Sequence, residues 1–337
     1  MKKSVKLIIL TVLLLGAVAA LAAVNRLAKK DEESPDEITL AVTAVSAGGE
    51  QGEGIKKIRW EKDGVTHEIE RAGSVDFTYS ADPDLPLDGE LCTKLVDTLK
   101  TVTSTRIIAE NVSDLSQYDL DKPTLKVTVT LDDASEIDYL FGCMDVNSTA
   151  YYFMSTQKRG TVYLVDKSVA ETFPSDPLDL VEFEEINDLS AFDSINIKTP
   201  DTEVTLTVKD GVMTADDGKS KVTVDVMKAK DIRTSSNRIA FARCVDYKGN
   251  YKEYGLDKPA CTLTYSCTYQ SEDTEGASEE DFVLNIGKLD GNNYYYVCID
   301  GSKLIYTADS SIFESLLISD INTLKAAGSE QETTVQN

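Results

Sequence analysis

QYDLDKP at residues 117–123 and EYGLDKP at residues 253–259 are two versions of one phrase, written 136 positions apart. Asp119 and Gly255 stand at the same place in the phrase, and both residue types accept a left-handed backbone conformation. The proline that closes each phrase forces the preceding lysine into an extended conformation. The phrase therefore predicts a turn that starts a β-strand, once in each of two tandem copies.

We interpret this repeated motif as structural, with a ligand-gripping loop as the alternative. Its residues are Tyr118, Leu120, Asp121, Lys122 and Pro123 in the first copy and Tyr254, Gly255, Leu256, Asp257, Lys258 and Pro259 in the second.

The segments around the motif recur in the same order. A helix is predicted over 88–102, with Leu91, Leu95, Leu99 and Val102 on one face and Asp88 as its cap, and a weaker one near 223–235. Alternating strands follow each motif, and the acidic stretch 271–281 is predicted to enlarge a hairpin loop of the second copy. Ser168-x-x-Glu171 and Ser311-x-x-Glu314 predict helix capping boxes. The sequence thus indicates repeats at 55–186 and 187–326.

The N-terminus has a different character. Residues 7–27 form an apolar run with no charge before Arg26, about the length that a membrane-spanning helix needs. We expect residues 1–30 to be a signal anchor; a signal peptide cleaved near ALAA at 20–23 is the alternative. Residues 31–54 hold seven acids and no lysine or arginine, which predicts a flexible linker, and 327–337 a disordered tail. The expected location is the cell membrane, single-pass, with an extracytoplasmic body.

Charge and cysteine content restrict the partners. The formal net charge is -24, so nucleic acid is excluded as an expected ligand of the body. The six cysteines do not have the spacing of a zinc site, and most lie in apolar runs, which predicts buried thiols. Export leaves room for one disulfide without indicating its pair.

Catalytic patterns are absent from the sequence. The only histidine, His67, lies in a predicted hairpin around Asp63-Gly64, where we expect it to be exposed. There is no nucleophile elbow and no phosphate-binding loop. We therefore expect no enzyme activity, cofactor or metal. A pair of carboxylates in a cleft is the one catalytic arrangement that a sequence with 58 acids leaves open.

Two strands carry consecutive tyrosines, and their rings must therefore point to both faces of a sheet. Either these rings form a second packing layer or they offer a binding face for sugar or peptide. The tyrosines concerned are Tyr151, Tyr152, Tyr294, Tyr295 and Tyr296.

The YGLDKP turn, the alternating strand after it, LNIGK, the Tyr-rich strand and the VY-type strand before a helix resemble the bacterial domain-of-unknown-function family 4340. The resemblance covers most of the exported part, once per repeat. The first copy departs from it, with Asp119 for glycine and Cys143 for lysine. Members of this family look like membrane-anchored envelope proteins, and some are associated with auxiliary components of gliding-motility-type ABC transporters. The resemblance therefore implies placement in the envelope and a transporter as a partner to expect. It supplies no catalytic residues.

Together these features predict an α+β protein with an N-terminal transmembrane helix and two tandem, pseudo-symmetric repeats of antiparallel sheet with packed helices. The expected function is that of a non-enzymatic accessory protein that binds another envelope protein, such as an ABC-type transporter complex. The alternatives are a glycan- or solute-binding module that uses the Tyr-rich strands and a carboxylate-dependent cell-wall hydrolase.

Overall fold

A computed structural model of the protein describes residues 38–41, 54–104, 106–270 and 277–325. The chain divides into two compact units. Unit 1 takes the chain up to Pro83 together with Gly89–Ser175, and unit 2 takes Asp84–Asp88 together with the chain from Asp176 onward. The expected repeat boundary between 186 and 187 lies in the irregular segment before the first strand of unit 2.

Unit 1 is built on an antiparallel sheet of eight strands, in the order β4-β3-β2-β7-β8-β9-β10-β6. A separate two-stranded sheet pairs β1 with β5. The strands are β1 (Ile38–Ala41), β2 (Ile55–Lys62), β3 (Val65–Arg71), β4 (Phe77–Tyr79), β5 (Thr101–Ser104), β6 (Arg106–Ala109), β7 (Leu125–Leu131), β8 (Glu136–Met144), β9 (Ala150–Ser155) and β10 (Val162–Asp166).

Unit 2 is built on an antiparallel sheet of nine strands, in the order β14-β13-β12-β11-β16-β17-β18-β19-β15. This order repeats that of unit 1 with one added edge strand, β14, which confirms two tandem copies. The strands are β11 (Ser194–Lys198), β12 (Glu203–Lys209), β13 (Val212–Asp216), β14 (Lys221–Thr223), β15 (Arg243–Asp246), β16 (Cys261–Gln270), β17 (Ala277–Leu289), β18 (Tyr294–Ile299) and β19 (Ile305–Asp309).

Helices are few and short in the described parts of the chain. They are α1 (Gly89–Lys100), α2 (Lys167–Glu171), α3 (Val226–Asn237) and α4 (Tyr251–Tyr254), with 3-10 turns at Ser116–Tyr118, Thr156–Lys158, Pro177–Leu180, Ser310–Phe313 and Ile321–Leu324. The prediction of α1 is confirmed, but Val102 is not part of it. The helix ends at Lys100, and Val102 is buried in β5, where β-branched neighbours favour strand.

Each sheet has one buried face and one polar face. In β2, Ile58 and Trp60 are buried, whereas Arg59 and Glu61 between and beside them are not. The chain after α2 covers the buried face in unit 1, because the Trp60 Nε1–H donates to the Pro174 carbonyl at 2.8 Å. In unit 2, α3 does so, since the Tyr265 hydroxyl bonds the buried Ser236 hydroxyl at 3.0 Å. The opposite faces are called here the outer faces.

The expectation that His67 is exposed is wrong. Its side chain is 2% exposed, because His67 shares the buried side of β3 with Ile69. Its Nδ1 lies 2.9 Å from the Tyr79 hydroxyl and its Nε2 3.1 Å from the Ser175 carbonyl oxygen. The turn itself is as predicted, with positive φ at Asp63 and Gly64.

The predicted capping boxes are also wrong. The N-cap of α2 is Asp166, whose carboxylate accepts from the Ser168 backbone N–H at 2.9 Å, and Asp309 caps the 3-10 turn Ser310–Phe313 in the same way. Glu171 instead forms an ion pair with Lys167 at 3.3 Å. The shared signal is therefore Asp-x-Ser, with the cap two residues before the serine.

The extra length of the second copy goes partly into strand rather than loop. β16 and β17 stay paired as far as Gln270 and Ala277, so residues 277–281 of the expected enlarged loop belong to β17.

The predicted membrane anchor and tail lie outside the described residues. Four residues of the predicted linker form β1 and pair with β5. No helix in the described ranges is long and apolar enough to span a membrane.

Candidate functional site

The repeated motif connects a short helical turn to the following β-strand in both units. This connection, residues 118–123 in unit 1 and 254–259 in unit 2, is called here the joint. A short helical turn ends at Asp119 in unit 1 and at Gly255 in unit 2, and both residues are left-handed, with φ of 53° and 73°. The predicted backbone conformation is thus confirmed. The leucine that follows is buried in each unit, at Leu120 and Leu256.

The backbone of each joint packs directly against a glycine of a neighbouring strand, Gly142 in unit 1 and Gly287 in unit 2. A Cβ at Gly142 would lie 1.9 Å from the Tyr118 carbonyl oxygen, and one at Gly287 would lie 2.3 Å from that of Tyr254. Strand pairing shifts register at both places, between Phe141 and Met144 and between Ile286 and Leu289. The glycine therefore marks a bulge into which the joint fits.

The charged residues of the motif point away from this packing. Asp121, Lys122, Asp257 and Lys258 are exposed, while Pro123 and Pro259 are half-buried. Beside the joint of unit 2 lies an open depression of about 710 Å³. Its lining is formed by Gly249, Asn250, Tyr251, Lys252, Glu253 and Asp257.

The consecutive tyrosines are divided between two packing environments. Tyr152 and Tyr296 lie on the motif tyrosines Tyr118 and Tyr254, with ring centroids 5.0 and 4.8 Å apart. These rings pack against small apolar clusters around Leu120 and Leu256.

Their strand neighbours contact other aromatic rings, Tyr151 the buried Phe141 and Tyr295 the buried Phe313. Tyr294 is half-buried. The five rings thus form no single face, and ligand binding by them stays a prediction.

The outer face of unit 1 is charged and internally paired. Lys57 Nζ lies 2.9 Å from Glu68, Arg59 3.3 Å from Glu136, and Lys126 3.1 Å from Asp138. The hydrogen bond to Glu68 raises the pKa of Lys57. Burial pulls the pKa of Glu68 upward, but hydrogen bonds from Lys57 and Ser80 outweigh it and leave that pKa lowered. A shallow depression of about 340 Å³ lies over this face.

The outer face of unit 2 has short neutral side chains at its centre. The Asn196 amide donates to the Thr205 hydroxyl at 3.2 Å, and Thr262 donates to the Asn285 side-chain oxygen at 2.9 Å. The central residues are Ser194, Asn196, Thr205, Thr207, Thr214, Thr262, Thr264 and Ser266, all half-buried or exposed.

Carboxylates stand around this neutral centre. Ser266 donates to Asp281 at 2.6 Å, and Thr268 donates to Asp193 at the same distance. Asp216 lies directly across from Thr205 in the pairing of β13 with β12. A shallow depression of about 460 Å³ runs along β12 to this acidic edge.

The strand registers align these two faces row by row. One cross-strand row reads Glu68, Arg59, Thr128, Asp138 in unit 1 and Thr205, Asn196, Thr264, Val283 in unit 2. An ion-paired row in one copy is thus a neutral row in the other. Alternation marks these residues as outward, but only the strand register shows that they stand at equivalent positions of the two sheets.

Buried polar groups serve the packing of each unit. The Tyr306 hydroxyl lies 3.2 Å from Glu184 Oε2 and accepts from the Glu184 backbone N–H, and burial raises its pKa. Five cysteines are buried as predicted and Cys143 is half-buried. Within the described ranges, no group of three or more His, Cys, Asp or Glu side chains is arranged to hold a metal ion.

A family model described as "Domain of unknown function (DUF4340)" matches residues 78–219 and matches again over 207–325. The chain belongs to the DUF4340 family. Two matches in one chain agree with the doubled strand order of this DUF4340 protein. No curated protein and no solved structure matches it.

Proposed function

We propose that this DUF4340 protein is a non-enzymatic accessory protein of the cell envelope. In this proposal residues 7–27 anchor it as a single-pass helix, and the body lies on the extracytoplasmic side. The body binds another envelope protein, such as an ABC-type transporter complex.

One observation carries the proposal. What the two units share is used for folding: the motif leucines are buried, and the motif tyrosines pack on Tyr152 and Tyr296. The outer faces differ in charge, because an ion-paired row in unit 1 corresponds to a neutral row in unit 2. A difference in charge at equivalent, solvent-facing positions of a duplicated scaffold supports recognition of a partner rather than chemistry in a cleft.

The placement of the single histidine also supports a non-enzymatic role. His67 is buried against Trp60, with a ring-centroid distance of 5.2 Å, and both ring nitrogens have partners within one unit. A histidine used this way holds a hairpin to the chain that covers it.

The test is a mild-detergent pull-down of the full-length protein from the membranes of its own cells, followed by mass spectrometry. A chain that begins at Ile55 is the matched control. Co-purification of ABC-type membrane subunits with the full-length protein, weakened in the control, is the expected result. If neither chain retains a protein partner, the accessory role is wrong, and binding of cell-wall glycan becomes the function to test.

A further inference from the structure

We infer that the outer face of unit 2 is the docking face, and that its partner is a protein surface on which lysine and arginine surround a flat polar centre. This inference rests on the proposed function and names the surface and the partner chemistry for it.

The cost of desolvation distinguishes the two outer faces. In unit 1, Lys57, Arg59 and Lys126 already have carboxylate partners, and covering these pairs would remove hydration from charges without adding new partners. Central positions of protein interfaces are depleted in charge. The centre of the unit 2 face meets this condition, because its side chains are hydroxyls, the amides of Asn196 and Asn285, and Val283, all of them uncharged.

Side-chain entropy points the same way. Serine and threonine lose little rotamer freedom when they are covered, whereas lysine, arginine and glutamate lose up to about 2 kcal/mol each. Asn196, Thr262 and Ser266 are further held by hydrogen bonds within the face. The unit 2 face is therefore arranged in advance for a flat contact.

The size of the face shows that its rim must take part. The six neighbouring strands from β14 to β17 span about 24 Å, and three outward positions along a strand span about 14 Å. The product, roughly 340 Å², is less than half of the ~800 Å² that one partner contributes to a standard interface.

That rim is acidic. Its carboxylates are Asp193, Glu203, Asp216, Asp281 and Asp300, and they accept hydrogen bonds from the face or stand directly beside it in the strand register. Lys198 is paired with Glu203 at 3.9 Å, and Lys221 lies across from Asp216. Residues 176–325 hold 28 acidic against 15 basic residues, so no large basic surplus offsets this rim. A partner with a basic rim is the complement.

The inference is tested by photo-cross-linking of the full-length protein in its own cells. Benzoylphenylalanine replaces Thr207 on the outer face of unit 2, and in a matched control it replaces Glu70, the register equivalent of Thr207 in unit 1. We expect a cross-link from position 207 to a peptide rich in lysine and arginine. The yield from position 70 should be at least about fivefold lower. In a parallel sample that is lysed before irradiation, addition of about 0.5 M salt should weaken the cross-link from position 207.

A graft provides the second arm. Asn196→Arg with Thr205→Glu gives unit 2 the charged pair that unit 1 carries at the same register positions, without changing net charge. We expect it to lower the cross-link at position 207 about tenfold or more. The reciprocal Arg59→Asn with Glu68→Thr should leave it unchanged.

The outcomes separate this inference from the proposed function. Equal cross-linking from both positions, a cross-link only to glycan or to a second copy, or an undiminished cross-link in the graft would overturn the docking face. The accessory role would still stand if the pull-down retains its partner. If the pull-down retains no partner, the accessory role is wrong, and the docking face, which rests on it, is wrong as well.

Discussion

Gly142 leaves no room for a side chain where the joint of unit 1 packs against β8. A Cβ there would lie 1.9 Å from a backbone oxygen that belongs to the motif, so either the bulge or the joint must move. We expect Gly142→Ala to lower the free energy of unfolding of unit 1 by about 2 kcal/mol or more, the upper part of the range for overpacking. Urea unfolding followed by the fluorescence of Trp60, the only tryptophan, reports on unit 1 directly.

Val146→Ala is the control for that experiment, because its side chain is 98% exposed in the neighbouring turn. A change of less than about 0.5 kcal/mol in Gly142→Ala, no more than ordinary surface substitutions give, would mean that the bulge relaxes without cost.

At Tyr139 we expect the opposite effect, an increase in stability when the side-chain hydroxyl is removed. Its ring is fully buried, and its hydroxyl has no hydrogen-bond partner within the described parts of the chain. A buried polar group without a partner costs about 1–3 kcal/mol. We expect Tyr139→Phe to raise the free energy of unfolding of unit 1 by about 1 kcal/mol, measured by the same fluorescence. A loss of stability would show that the hydroxyl has a partner, such as a buried water.

The buried thiols give a prediction about pH. Burial raises the pKa of Cys244, Cys261 and Cys298 to about 11, above the ordinary value of 9.0. At pH 8 only about one such thiol in a thousand is ionised, and the thiolate is the reactive form. We expect a thiol reagent at pH 8 to modify the half-buried Cys143 first, and the others only after unfolding, as peptide mapping would show.

The same pKa shifts affect the stability of unit 2. A group whose pKa is raised on folding contributes stability below its unfolded pKa, and that contribution is lost as the pH rises through the folded value. The contribution of these three thiols is therefore complete below about pH 9 and lost towards pH 11. Rapid modification of Cys261 in the native state at pH 8 would contradict both statements.

At the scale of elements, two substitutions near the start of α2 compare the observed N-cap, Asp166, with Glu171 of the predicted capping box. We expect Asp166→Ala to cost about 1 kcal/mol, as the loss of an N-cap does. Glu171→Gln should cost no more than about 0.5 kcal/mol, since it removes only an exposed ion pair. Thermal unfolding of both variants at neutral pH distinguishes them, and equal losses would favour the capping box.

The pH dependence of that comparison follows from Asp166. Hydrogen bonds from Ser168 lower the pKa of its carboxyl below the usual 3.8. A lowered pKa adds stability that is lost as the pH falls through the folded value, so the gap between the protein and Asp166→Ala should narrow in acid.

Elements were predictable where local residue chemistry decides them. The left-handed positions at Asp119 and Gly255 follow from residue type, and the alternating strands follow from their period. The alternation of β3 places His67 on the same side as Ile69, but that this side is covered depends on the chain around Ser175, 108 positions away, which no local pattern indicates. The end of α1 was not predictable either, since Val102 suits a helix face by spacing and a strand by its branched side chain.

At the scale of the whole molecule, the duplicated order could be read from the repeated motif, while the candidate site could not. Alternation identifies Arg59 and Asn196 as outward residues, but neither is unusual for a surface. The strand register is what makes them informative. It places them at the same position of two equivalent sheets, where one copy has a charged side chain and the other a neutral one. Register over such separations is set by folding and not by any local pattern.

Folding and recognition are two explanations of that difference in charge, and a measurement of stability distinguishes them. Arg59→Asn with Glu68→Thr removes the exposed pair of Arg59 with Glu136 and the half-buried pair of Glu68 with Lys57. Surface pairs are worth about 0–1 kcal/mol each, and the new side chains are those that the same sheet positions carry in unit 2. We expect the free energy of unfolding of unit 1, followed by Trp60 fluorescence, to change by less than about 1 kcal/mol. A loss above about 2 kcal/mol would make the charged face a stabilising network. A small change leaves stability unable to account for the divergence, and recognition is then the property that separates the two faces.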